Sequence, residues 1–381
     1  MKNLAVILIA LISGTISASA FAEKEHKVPF SPEDENFSGS IQVALLLDTS
    51  NSMDGLINQA KSRLWNIVNT LTTLRFDGEE ARIEIALYEY GNDGLPAESG
   101  YIRQVVGLTG DLDLISEHLF ALGTNGGSEY CGAVIQNATK KLDWNTDSRA
   151  MKLIYIAGNE PFDQGTISYK EAISDAVNDQ LFVNTIFCGS GEEGIRTFWK
   201  DGAERGKGKY FNIDSNAVIR HIATPYDDRI TRCNQLLNNT YVGYGSYGQK
   251  RLAVQNAQDE EAEEISFANI AERTVSKASR AYRNESWDLV DKIKSDPDAL
   301  EKIPENKLPE EMRGKTRQEM RDYVNRKKAE REKIQAEIAE LAKKRQAYIE
   351  KEQARKGVQD DLGKVITVSI LEIARAKGYK Q

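Results

Sequence analysis

Residues 41–53 read IQVALLLDTSNSM. Ile41, Val43, Ala44, Leu45, Leu46 and Leu47 form an apolar run that stops abruptly at Asp48, Thr49, Ser50, Asn51 and Ser52. That is the pattern of a strand buried on both faces that runs into a polar loop. A helical pattern starts at about Met53, so the loop joins a strand to a helix. Asp48, Ser50 and Ser52 alternate, and alternate residues of an extended chain share a side. Their oxygens can therefore converge at the carboxyl edge of an open sheet, where such sheets take their ligands. Hard oxygen donors suit a magnesium-like cation. The same residues also read as an ordinary helix start capped by Asn51 or Ser52, and both readings are open on spacing alone.

Working outward, strand patterns recur at 81–88 (ARIEIALY), 101–108 (YIRQVVGL), 152–157 (KLIYIA), 181–187 (LFVNTIF) and 210–213. Helical stretches at 112–122, 132–142, 169–177 and 194–204 lie between most of them, with Ser168 and Glu171 spaced as a capping box. The alternation predicts an α/β fold, a doubly wound, mostly parallel, Rossmann-like sheet covered on both faces. Residues 81–108 predict an antiparallel excursion, because the loop GNDGLPAESG and no helix joins their two strands. This domain should span 39–224.

Residues 1–22 carry one Lys, a short apolar core and small residues at 18–20 and 20–22, the form of a secretory signal peptide. The expected location is secreted, periplasmic in a Gram-negative host, and no later run is apolar enough to be a transmembrane segment. The 381-residue chain has 50 Lys and Arg against 58 Asp and Glu, a formal net charge of −8. Removal of 1–22 takes Lys2 and no acid, so the remainder is more negative still. Such a balance excludes sequence-independent nucleic-acid binding. Three histidines leave little material for a general base, so the expectation is no enzyme, with an Mg-dependent hydrolase as the enzymatic alternative. Cys131, Cys188 and Cys233 allow one bridge and one free thiol in an oxidising compartment; Cys188 reads either as a partner of Cys131 or as a small buried apolar residue.

An extension follows at 225–315, with the Tyr- and Gly-rich stretch 241–248 expected as an irregular strap over the sheet domain. A long charged helix then occupies 316–357, opened by a Thr316/Glu319 capping box and stopped by Gly357, and a C-terminal helix falls within 358–381. Met320, Val324, Ile334, Ile338, Leu341 and Tyr348 mark a four-three seam that Lys327, Arg331 and Arg345 interrupt. The seam reads either as a coiled-coil oligomer contact through 316–357 or as a charged helix packed by its apolar part alone. Gly189, Gly191 and Gly194 outline a dinucleotide turn, but Glu192 and Glu193 inside it would repel a pyrophosphate.

Asp48-Thr49-Ser50-Asn51-Ser52 resembles the DxSxS signature of the von Willebrand factor type A (VWA) domain, and the order of strands and helices resembles that fold over 41–222. The resemblance implies a metal-ion-dependent adhesion site (MIDAS) in which Asp48, Ser50, Ser52 and Thr124 hold Mg2+ or Mn2+. Ser128 is the alternative second-loop ligand, since GGSE at 126–129 resembles a family variant with an acid at that place. The family's third-loop Asp falls on Gly158, which has no side chain; Glu160 or water would take its part. The implied function is binding: a carboxylate of a protein partner or another acidic ligand completes the ion's shell. The alternative is a metal-independent scaffold or assembly factor of the cell envelope acting through the helical extension. The stretches 223–227, 240–245 and 286–290 also resemble a group of exported bacterial VWA proteins.

Overall fold

The computed structural model describes residues 39–214, 216, 217, 219, 221–356 and 362–381. The signal peptide expected at 1–22 and the helix stop expected at Gly357 lie outside the described residues. The apolar run forms β1 (Ser40–Asp48), and a 3-10 turn (Asn51–Met53) leads into α1 (Asp54–Thr72). A two-residue hairpin, β2 (Arg75–Phe76) and β3 (Glu79–Glu80), precedes β4 (Arg82–Tyr90), β5 (Ile102–Thr109), α2 (Leu112–Phe120) and α3 (Cys131–Lys141). Then come β6 (Met151–Gly158), α4 (Tyr169–Asn178), β7 (Leu181–Cys188), α5 (Gly191–Arg196), α6 (Trp199–Arg205) and β8 (Lys207–Ile213).

The strands order as β5-β4-β1-β6-β7-β8, with β1 parallel to both neighbours and β5 antiparallel to β4. β1 is therefore central and wholly buried, which is why its sequence shows no polar alternation. Val43, Leu45 and Leu47 point into one apolar layer with α1 and α2, while Ala44 and Leu46 point into the other with α3, α4 and Trp199 of α6. The helix expected over 194–204 is two helices. Phe198 breaks it in the left-handed region (φ 71°), and the Thr197 carbonyl accepts from the Phe162 amide (3.0 Å) at the break. Ser168 begins α4 without the capping bond its spacing suggested, whereas Thr316 and Glu319 do form their reciprocal box (2.8 and 3.3 Å).

The extension comprises α7 (Asp227–Asn238), α8 (Gly248–Ile265), α9 (Phe267–Ala278), α10 (Leu289–Ser295), α11 (Ala299–Lys302), α12 (Arg317–Lys356) and α13 (Leu362–Ala376). It is continuous with the sheet domain. Ile270 of α9 and Val365, Ile366, Ile370 and Ile373 of α13 belong to the same apolar layer as α1. The Leu362 amide donates to Gln59 of α1 (3.1 Å), and Ser369 donates to Asn184 of β7 (2.7 Å). Beyond α13, the Tyr379 hydroxyl donates to the Ser40 carbonyl (2.9 Å) and Lys380 pairs with Arg75.

The seam of α12 is occupied by its own chain. Met320, Val324 and Ile338 are buried, and so are Arg331 and Arg345, which sequence reading took as interruptions. Arg331 reaches Asp288 (2.6 Å) and Asp291 (2.8 Å) and lies 4.2 Å over the Tyr241 ring; Arg345 reaches Asp227 (2.7 Å). These partners are distant in sequence, and no local pattern marks them. The 241–248 strap likewise packs on the extension, with Tyr241 against Tyr282 and Trp287 and the Tyr244 hydroxyl donating to the Glu285 carbonyl (2.7 Å). All three cysteines are buried free thiols, so the bridge they allowed is not formed and Cys188 is a small buried residue.

Candidate functional site

Asp48 is the last residue of β1 and fully buried. Its Oδ1 accepts from the Ser50 amide (2.8 Å), which folds the loop back, while its Oδ2 has no hydrogen-bond partner. Ser50 is 4% exposed, and its Oγ lies beside the carboxylates of Asp48 and Glu129 without a hydrogen bond of ordinary geometry to either. Ser52 lies in the 3-10 turn and accepts from Asn159 Nδ2 (3.2 Å); Asn159 Oδ1 is another buried oxygen without a partner. No side chain caps the 3-10 turn or α1, so Asn51 and Ser52 are not helix caps. Three loops thus bring oxygen atoms together above β1 and β6.

The second loop is fixed by backbone contacts. The Asn125 amide donates to the Thr49 carbonyl (3.0 Å), and Asn92 Nδ2 donates to the Gly123 carbonyl (3.1 Å). In this setting the Thr124 hydroxyl donates to the Asp54 carboxylate on α1. The second-loop group that lies against Asp48 is Glu129, one residue beyond Ser128. Two glycines make room for it. A Cβ on Gly127 would stand 1.9 Å from the Gly91 carbonyl oxygen, and a Cβ on Gly91 (φ +78°) would stand 2.8 Å from Glu129 Cγ and 3.0 Å from Asp48 Oδ1. The GGSE spelling was the sequence signal for this acid; its meaning depended on Gly91, which no pattern connects to it.

At the third loop, a Cβ on Gly158 would stand 2.5 Å from the Tyr90 hydroxyl and 3.0 Å from Asp48 Oδ2. The Tyr90 hydroxyl, which donates to the Ala157 carbonyl (3.0 Å), fills the space beside Gly158. Glu160 accepts from Gln164 (3.3 Å) and acts on the site through its charge. Beneath lie the thiols of Cys131 and Cys188, both pushed up by burial and therefore unreactive.

The electrostatics are those of an anion held without a counter-charge. Burial pushes Asp48 up to about 7; the Ser50 amide bond and nearby hydroxyl oppose this, and Glu129 and Glu160 push further. Glu129 is raised by burial and then by Glu160. Among the described residues no Lys or Arg forms an ion pair with either carboxylate, and no three His, Cys, Asp or Glu side chains close into a metal cluster. The donors are two carboxylates supplemented by hydroxyl and amide oxygens. An all-oxygen set with unpartnered buried atoms fits a hard divalent cation.

No family model matches the chain, and no curated protein matches it. Among solved structures, it is similar to the conserved hypothetical protein BatB from Bacteroides thetaiotaomicron, at 16% identity over 46% of this chain and 91% of that one, with a TM-score of 0.36. It is similar to a von Willebrand factor type A structure from Catenulispora acidiphila at 16% identity, over 46% of this chain and 39% of that one, with a TM-score of 0.35. A third is proximal thread matrix protein 1 from the mussel byssus, in a form whose MIDAS motif holds zinc, at 14% identity over 46% and 41% of the two chains and a TM-score of 0.34.

Proposed function

We propose, from a doubly wound sheet whose central strand ends in the DxSxS arrangement of a von Willebrand factor type A domain, that this is an exported, non-enzymatic binding protein. It engages a protein or other acidic ligand through a divalent cation at the carboxyl edge of β1. The observation that carries the reading is the pair of buried, unpartnered oxygens, Asp48 Oδ2 and Ser50 Oγ, beside a second carboxylate with no cationic side chain on either. A buried polar group left unpaired costs about 1–3 kcal/mol, more when charged, so the arrangement favours a ligand that satisfies it.

Asp48, Ser50 and Ser52 would hold Mg2+ or Mn2+, with Thr124 reaching it only by releasing Asp54. The ion supplies positive charge and a coordination place for an oxygen of the partner. Around it, the Ser50 amide fixes the Asp48 carboxylate, Asn159 fixes Ser52, and Tyr90 closes the floor against water. Adhesion of this kind asks for no proton transfer. Export rests on the signal-like sequence at 1–22, and no described helix is long and apolar enough to cross a membrane.

Calorimetric titration with Mg2+ and Mn2+ should give binding to the native chain and none to Asp48→Ala. Partners crosslinked in cells should be lost with the same substitution. Identical isotherms for the two proteins would remove the metal reading.

A further inference from the structure

We propose that Glu129 is the second carboxylate of the cation site and stands in for the acid that the third loop lacks at Gly158. This rests on the metal-binding reading above and adds a residue to it. The third loop has no space for an acid at 158: a Cβ on Gly158 would already be 2.5 Å from the Tyr90 hydroxyl and 3.0 Å from Asp48 Oδ2. The second loop, in contrast, is shaped to deliver one. Gly127 lets the loop press on Gly91, and Gly91 leaves empty the one position that would hold Glu129 away from Asp48. Glu129 is 7% exposed as a residue, and burial is the main cause that raises its carboxyl. Asp48 Oδ2 and Ser50 Oγ, both buried and without partners, border the same space.

Like charges placed together in a buried site repel unless a cation lies between them. Two carboxylates balance the charge of one divalent ion, with the second acid moved from the third loop to the second. The Thr124 hydroxyl, engaged by Asp54, is not needed for that balance.

The test uses the full chain and Mn2+ alone, followed by calorimetry and by the spin-resonance signal of free Mn2+. Glu129→Gln, which preserves shape and removes charge, should weaken Mn2+ binding by about 10-fold or more. Asp48→Asn should weaken it at least as much. Native affinity in Glu129→Gln together with loss in Asp48→Asn overturns the role of Glu129 while the metal reading stands. Absence of Mn2+ binding by the unaltered chain overturns both. If Glu129→Gln does not fold, Glu129→Asp keeps the charge and withdraws it by one methylene: weaker binding supports the proposal and unchanged binding overturns it.

Discussion

Replacing Asp48 by Asn should make the cation-free protein more stable at pH 8. Folding moves this carboxyl from an ordinary 3.8 to about 7, because β1 buries it and Glu129 and Glu160 face it. Between those values the folded state holds a proton that the unfolded chain has released, so stability is fully present below about pH 4 and is lost as pH rises through 7. The difference of about 3 in pKa, at 1.36 kcal/mol each, puts the cost of the ionised form at about 4 kcal/mol. An Asn does not ionise, and the loss of one acceptor offsets about 1 kcal/mol of the gain. In chelator at pH 8, thermal unfolding of Asp48→Asn should therefore lie above the native chain by several degrees, at about 2–4 °C per kcal/mol. The gap should close toward pH 4.5. Mn2+ at a hundredfold excess over its dissociation constant should add about 2.7 kcal/mol to the native chain and no more than about 1.4 kcal/mol to a variant that binds it tenfold or more weakly. An Asp48→Asn protein less stable than native at pH 8 in chelator, or a gap that does not change with pH, would refute the reasoning.

Restoring the family's third-loop acid should fail: Gly158→Asp forces atoms onto the Tyr90 hydroxyl and should lower the unfolding midpoint in urea by an amount worth about 1–3 kcal/mol without tightening Mn2+ binding. Arg331→Ala leaves Asp288 and Asp291 without their buried cation and should cost about 3–5 kcal/mol in denaturant titrations; a loss below 1 kcal/mol would mean that α12 is not docked as described. Removal of 362–381 should prevent cooperative folding, since it strips α13 from α1 and the sheet; a sharp two-state melt of the truncated chain would contradict the single core.

The sheet was legible because its signals are local. Ile41–Leu47 is apolar at every position but Gln42, and only a strand covered on both sides tolerates that. The position of Asp48, Ser50 and Ser52 in the loop after β1 was legible for the same reason. Glu129 was half-visible, in the letters GGSE, but its approach to Asp48 depends on the empty space at Gly91. Arg331 and Arg345 were read as breaks in a seam because a charge in that place usually faces water. Their carboxylate partners, Asp288 and Asp227, come from helices that no spacing rule brings near. Of the seam residues, Met320, Val324 and Ile338 are buried within this chain. The C-terminal helix was expected, but its place in the main core is a property of the whole chain and not of its own residues.

The bond between Tyr379 and Ser40 joins residues 339 apart, at the two ends of the described chain. β1 cannot be covered on its α13 side until the last residues have been made or delivered. Contacts of such sequence separation slow folding, and an uncovered Val43-Leu45-Leu47 face is adhesive while it waits. The strand that needs this cover is thus made long before the helix that supplies it.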